Sequence, residues 1–175
     1  METVLILDFG AQYSQLIARR VREQNVYCEV KPCSISPDEI RKLAPIGIIL
    51  SGGPQSVYES VSLHVDPALF SLGIPVLGIC YGCQLMAYSL GGTVAAATEA
   101  TAREYGKTLT EFDTESAIFH GLPASSVTWM SHGDYISQVP DGFTVTAKTA
   151  VCPTAAMACP EKKLYGVQFH PEVQH

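Results

Sequence analysis

Apolar residues fall in short blocks along this chain, and the period inside the blocks switches between that of a strand and that of a helix. Val4-Leu5-Ile6-Leu7 is continuously apolar, as a strand buried on both faces is. After Asp8-Phe9-Gly10 the spacing becomes helical. Leu16, Ile17 and Val21 share one face, and Arg19, Arg20, Arg22 and Glu23 share the other, read as solvated. Val26-Tyr27-Cys28-Glu29-Val30 predicts a second strand. Ser36-Pro37-Asp38-Glu39 predicts a helix start: serine at the cap, proline in the first turn, glutamate closing a capping box. Ile46 to Leu50 and Pro75 to Ile79 are the third and fourth strands. Leu85-Met86-Ala87-Tyr88-Ser89-Leu90 continues as a helix stopped by Gly91-Gly92. This alternation predicts an α/β fold, a doubly wound and mostly parallel sheet with helices on both faces. Ligands of such sheets bind at the carboxyl ends of the strands.

Beyond Gly92 the blocks are short and strand-like: Thr93-Val94-Ala95, Lys107-Thr108-Leu109, Ser126 to Met130 and Phe143 to Ala147, with Pro140-Asp141-Gly142 as a turn. They predict an antiparallel extension in the C-terminal half, leaning on the first sheet. Leu164 to Phe169 is a last strand that runs into His170-Pro171-Glu172.

Between the fourth strand and its helix lie Gly78-Ile79-Cys80-Tyr81-Gly82-Cys83-Gln84. A strand that enters a helix without a loop must turn sharply, and glycines on either side remove Cβ atoms that would crowd neighbouring backbone. Gly-x-Cys-x-Gly in that setting is the nucleophile-elbow pattern, with cysteine where hydrolases often carry serine. The turn holds the sulfur at a helix start, whose dipole and N–H groups favour an anion. Cys80 is therefore the candidate nucleophile. Two other readings stand beside it. A cysteine among apolar residues is often a small buried hydrophobe. Cys80-Tyr81-Gly82-Cys83 is also Cys-x-x-Cys, the spacing of a thioredoxin-like redox pair. A redox pair needs no distant histidine and carboxylate, whereas an acyl-transfer cysteine does.

His170-Pro171-Glu172 can supply them. Pro171 biases His170 toward extended backbone, and residues two apart on an extended chain face the same way. A carboxylate beside an imidazole fixes its tautomer and supports its cation. His132, within Trp129-Met130-Ser131-His132-Gly133-Asp134, is the competing base and ranks as a pocket residue. Ser51-Gly52-Gly53-Pro54 follows the third strand on the same edge as the elbow. A Gly53 N–H, with that of Tyr81, could hold a developing oxyanion; a plain Gly-Pro turn is the other reading. The lysine-bearing pattern of a phosphate loop is missing.

Composition narrows the class. With 175 residues, 47% of them hydrophobic and 16% charged, the chain is expected to form one compact soluble domain, residues 1–175. A net charge of −6 gives no basic footprint for nucleic acid, and no Lys/Arg run points to a membrane surface. The six cysteines are scattered and suit a reducing compartment. No signal peptide or membrane-length apolar run is read, so the expected location is cytoplasmic. Cys80/Cys83 and Cys152/Cys159 do not form two close-spaced ligand pairs, so no zinc is expected.

Gly78 to Gln84 together with His170-Pro171-Glu172 resembles the class I (triad) glutamine amidotransferases. Asp8 to Tyr13, Ile49 to Pro54, Glu104-Tyr105-Gly106 and Trp129 to Asp134 are similar, more narrowly, to the GMP synthetase family. The likeness runs over nearly all the chain. It implies hydrolysis of glutamine to glutamate and ammonia, with ammonia passed to adenylylated xanthosine monophosphate (XMP). It implies Cys80 as nucleophile, His170 as base and Glu172 as its orienter. Gly53 and Tyr81 would hold the oxyanion, and Gln84 with the backbone of Ser131, His132 and Gly133 would hold the amino-acid end of glutamine. The implied partner is an ATP pyrophosphatase domain of the same enzyme, which takes XMP, ATP and Mg2+; this domain itself needs no cofactor. On that expectation residues 1–175 are an excised amidotransferase domain. A thiol-disulfide oxidoreductase using Cys80 and Cys83, a γ-glutamyl peptidase using the same triad, and an inactive regulatory module are the other readings.

Overall fold

Leu5, Ile6 and Leu7 are buried on both sides of β1 (Thr3–Asp8) in a computed structural model that describes residues 1–10, 13–53, 57, 64–97 and 104–173. β1 pairs in parallel with β2 (Tyr27–Pro32) on one side and with β3 (Gly47–Leu50) on the other. β4 (Val76–Ile79) continues the parallel set beside β3. The connections are α1 (Ser14–Glu23) and α2 (Pro37–Leu43). As expected, Ser36 caps α2, its hydroxyl accepting from the Glu39 N–H at 3.2 Å. Two apolar layers flank the sheet. Ile6, Ile17, Ala18 and Val167 form one, under α1. Leu5, Leu7, Ile40, Leu50 and Met86 form the other, under α2 and α3 (Tyr81–Ser89).

The C-terminal half does not lean on this sheet; it is hydrogen-bonded into it. β11 (Leu164–Val167) pairs in parallel with β4, residue for residue from Leu164 opposite Val76 to Val167 opposite Ile79. Next come β10 (Ala156–Cys159), β9 (Thr144–Lys148), β6 (Glu104–Phe112) and β7 (Ser125–His132), each antiparallel to its neighbour. The nine strands run in the order β2-β1-β3-β4-β11-β10-β9-β6-β7. Four reversals after β11 restore the original direction, so β7 ends on the same edge of the sheet as β1, β3, β4 and β11.

Two strands carry no clear sequence signal. β10 is Ala-Met-Ala-Cys, fully buried but poor in β-branched residues. β8 (Asp134–Gln138) follows β7 after Gly133 alone, and it pairs with β5 (Thr93–Ala96) as a separate ribbon. That ribbon and the main sheet enclose α3. Enclosure explains why α3 is apolar around most of its circumference, with every residue from Tyr81 to Ala87 buried. The Gly91-Gly92 stop is used as expected: the Gly92 N–H donates to Ala87 O at 2.8 Å, beyond the helical register. Among the described residues no helix is long and apolar enough to cross a membrane.

Candidate active site

The turn from β4 into α3 takes no loop residues, and Cys80 alone makes the bend. Its backbone sits at φ 53°, ψ −107°, a left-handed conformation that costs a side-chain-bearing residue about 1–3 kcal/mol. Long-range packing holds it there. The Cys80 N–H donates to Val167 O at 2.8 Å, tying the bend to the end of β11. The bracketing glycines are required by contact. A Cβ on Gly78 would lie 2.6 Å from Gly82 O, and one on Gly82 would lie 2.5 Å from Leu50 O. α3 can therefore press its first turn onto β3 and β4 only without those side chains. Cys80 is 6% exposed.

His170 and Glu172 reach the same place from β11. The His170 N–H donates to Trp129 O at 2.8 Å, which ties the chain just beyond β11 to the middle of β7. The His170 ring donates from Nδ1 to Glu172 Oε1 at 2.6 Å, and both residues are buried. Cys80 is close enough to the ring to shift its titration. Burial alone would lower the His170 pKa. Hydrogen bonds and charge from Cys80 and Glu172 outweigh it and push the value up to about 10. The arrangement favours an imidazolium at His170, braced by the Glu172 carboxylate. The Tyr13 ring meets the His170 ring edge-on, with centroids 5.5 Å apart.

Gly53 and Tyr81 stand next to each other across the bend. An added Cβ on Gly53 would lie 3.3 Å from Tyr81 Cγ and 3.3 Å from Phe9 O. Ser51 steadies this loop, its hydroxyl accepting the Phe9 N–H at 3.1 Å. Pro54 lies outside the described residues, as do Ala11 and Gln12. On the far side, Ser131 O accepts from the Cys80 thiol at 3.6 Å, and Gly133 O accepts from the Ala97 N–H at 2.9 Å. His132 is buried, with Nδ1 bonded to Asp134 O at 2.8 Å. Gln84 is buried with its Nε2 bonded to Asp134 O and Gln168 Oε1, both at 3.1 Å.

A family model for class-I glutamine amidotransferases matches residues 5–175. The chain belongs to that family. Among the relatives of this amidotransferase is a protein named GMP synthase [glutamine-hydrolyzing] from Clostridium botulinum, 57% identical over 174 residues. A Caldanaerobacter subterraneus protein of the same name is 58% identical over 174 residues. Each match covers 99% of this chain and 33% of the relative, so the chain spans about a third of their length. The crystal structure of a candidate GMP synthase subunit from Thermoplasma acidophilum superposes with a TM-score of 0.85 at 32% identity. That match covers 100% of this chain and 86% of the other.

The burial of Cys83 weighs against a redox pair with Cys80. All six cysteines are free thiols, and Cys83 is fully buried against Gly166 beneath α3. Burial, with smaller contributions from Cys80 and Cys152, pushes its thiol pKa well above the ordinary range. A resolving thiol must be accessible and ionisable.

Two residues at the site carry no signal in the sequence. Arg20 belongs by periodicity to a solvated face, yet it is partly buried and its Nε donates to Glu172 O at 3.0 Å. Helical periodicity marks a face and says nothing of what a long side chain can reach. Gln168 sits within the last strand block with no motif to single it out, and its Nε2 lies 3.5 Å from Cys80 Sγ.

The His170–Glu172 pair makes a pH prediction. A histidine whose folded pKa is raised stabilises the fold fully below its unfolded value of about 6.5. That contribution is lost as pH rises toward about 10. Glu172→Gln keeps an acceptor for Nδ1 but removes the charge, so His170 should titrate at lower pH. Nuclear magnetic resonance titration of the His170 ring protons reads this directly. An unmoved titration in the variant would show that Glu172 does not hold the imidazolium.

Proposed function

We propose that the chain is the glutamine-hydrolysing part of a cytoplasmic GMP synthase. In this reading it releases ammonia to a synthetase domain that carries ATP, Mg2+ and XMP. The observation that carries it is the convergence of a strained cysteine, a histidine and a buried carboxylate at the carboxyl ends of β4 and β11. The GMP synthase relatives are about three times the length of the chain, which supports a synthetase region beside this domain. Six free thiols suit a reducing compartment.

In this mechanism the Cys80 thiolate attacks the side-chain amide carbon of glutamine, and the N–H groups of Gly53 and Tyr81 hold the oxyanion. As the C–N bond breaks, the His170 imidazolium gives its proton to the leaving ammonia. Neutral His170 then takes a proton from water, the hydroxide attacks the thioester carbonyl, and glutamate leaves as Cys80 recovers its thiolate. Glu172 supports the imidazolium throughout. The Ser131–Gly133 turn and Gln84 face the amino-acid end of glutamine. With its Nε2 engaged elsewhere, Gln84 acts there through its carbonyl oxygen. Ammonia that escapes to water is protonated and ceases to be a nucleophile, so the partner domain must collect it.

The test measures glutamate release with and without the synthetase domain of a GMP synthase relative, supplied with ATP and XMP. Turnover is expected to be low alone and to rise with the partner. A diazo ketone analogue of glutamine should label the chain once, at Cys80. Label at Cys83 or Cys28 would overturn the assignment, and turnover unchanged by saturating partner would overturn the two-domain reading.

A further inference from the structure

Gln168 is a buried side-chain amide beside the sulfur of Cys80, and burial of an amide demands that its polar atoms be satisfied. Its Oε1 accepts from Gln84 Nε2 at 3.1 Å, and its Nε2 lies 3.5 Å from Cys80 Sγ. Gln84 Nε2 in turn donates to Asp134 O at 3.1 Å, and the same carbonyl takes His132 Nδ1 at 2.8 Å. Side-chain amides can flip, so the polarity of such a chain needs an anchor. The Asp134 main-chain carbonyl is that anchor, because it can only accept. Gln84 must therefore present its NH2 group to Asp134 O, and the same group meets Gln168. Gln168 must then offer oxygen to Gln84, which leaves its NH2 aimed at the sulfur. The reverse orientation would set NH2 against NH2 and a carbonyl oxygen against the sulfur lone pairs.

We propose that Gln168 is a positioning residue for the nucleophile, the last member of an amide relay that runs from Asp134 O through Gln84 to the sulfur of Cys80. The pleat puts it there. Alternation continued from β11 sets Gln168 on the same side as Leu164 and Gly166, the side that α3 covers. The relay joins the β7–β8 turn to the nucleophile, so the turn proposed to hold glutamine and the sulfur that attacks it share one set of bonds. A hydrogen bond to an anion is stronger than one to a neutral acceptor, and this one holds the sulfur in one direction while it is charged. The inference rests on the reading of Cys80 as the nucleophile.

The experiment uses Gln168→Met, Gln84→Met and the double variant. Two rates are measured: alkylation of Cys80 by iodoacetamide at neutral pH, and glutamine hydrolysis resolved into kcat and KM. Gln168→Met keeps the volume and removes the donor. Alkylation and kcat should each fall roughly tenfold, with KM within about twofold of the parent. Gln84→Met should also slow alkylation, because Gln168 is then free to turn. In alkylation the double variant should be no slower than Gln168→Met, since a relay cut at its last member has nothing more to lose; hydrolysis is not used for this comparison, because Gln84 also faces glutamine. Parental alkylation in folded Gln168→Met would overturn the proposal, as would additive losses of alkylation rate in the double variant. Should Gln168→Met not fold, Gln84→Met alone decides, and parental alkylation there overturns it. Alkylation needs no glutamine turnover. A chain that hydrolysed no glutamine would therefore defeat the functional reading and leave this test standing.

Discussion

Replacing Cys80 with glycine is expected to abolish glutamine hydrolysis and to raise the stability of the domain. The two effects share one cause. Cys80 lies at φ 53°, ψ −107°, where a Cβ is strained, and it is held there by its N–H bond to Val167 O and by α3 closing onto Leu50. Glycine adopts that backbone without strain, so Cys80→Gly should gain about 1 kcal/mol in urea or thermal unfolding. Cys80→Ala keeps the strain, loses the sulfur, and should unfold close to the parent. Both variants should lose about 10^4-fold or more in glutamate release, as enzymes that lose a covalent nucleophile do. Equal stability of the glycine and alanine variants would show that the bend stores no strain. Substantial turnover in either variant would show that the sulfur is not the nucleophile.

His170→Ala is expected to lower glutamine turnover by about 10^3–10^4-fold, a loss that fits a group serving as both acid and base. His132→Ala should do far less, and its effect should fall on KM. His132 has a carboxylate residue two positions on, Asp134, at the same spacing as Glu172 from His170. The difference lies in which oxygen each ring meets. His132 Nδ1 bonds the main-chain carbonyl of Asp134 and not its carboxylate. His170 Nδ1 bonds the carboxylate itself at 2.6 Å, and Glu172 and Cys80 together raise its pKa. Steady-state kinetics of the two variants separate the assignments. A larger loss in kcat from His132→Ala would make His132 the base.

The comparison of the two histidines shows where local reading stops. Spacing by itself makes His132-Gly133-Asp134 and His170-Pro171-Glu172 equivalent, and backbone direction separates them. Periodicity and turn chemistry were enough for β1 to β4, for the Ser36 cap, for the Gly91-Gly92 stop and for the elbow at Cys80. The pattern that marks each of those lies within about four positions, even where, as at Cys80, distant contacts hold the geometry.

The pairing of β11 beside β4 was decided at long range, and with it the meeting of His170 and Cys80. So was the insertion of β10, whose Ala-Met-Ala-Cys has no strand signature and is held by neighbours on both sides. Arg20 reaches Glu172 O across 152 residues, and Gln168 reaches the Cys80 sulfur across 88. Strand order is a property of the whole sheet: buried backbone groups must pair, and several neighbours can satisfy the same apolar block. The chemistry at Cys80, His170 and Glu172 was therefore legible one residue type at a time. The bonds that aim those residues at one another were set only when the nine strands found their order.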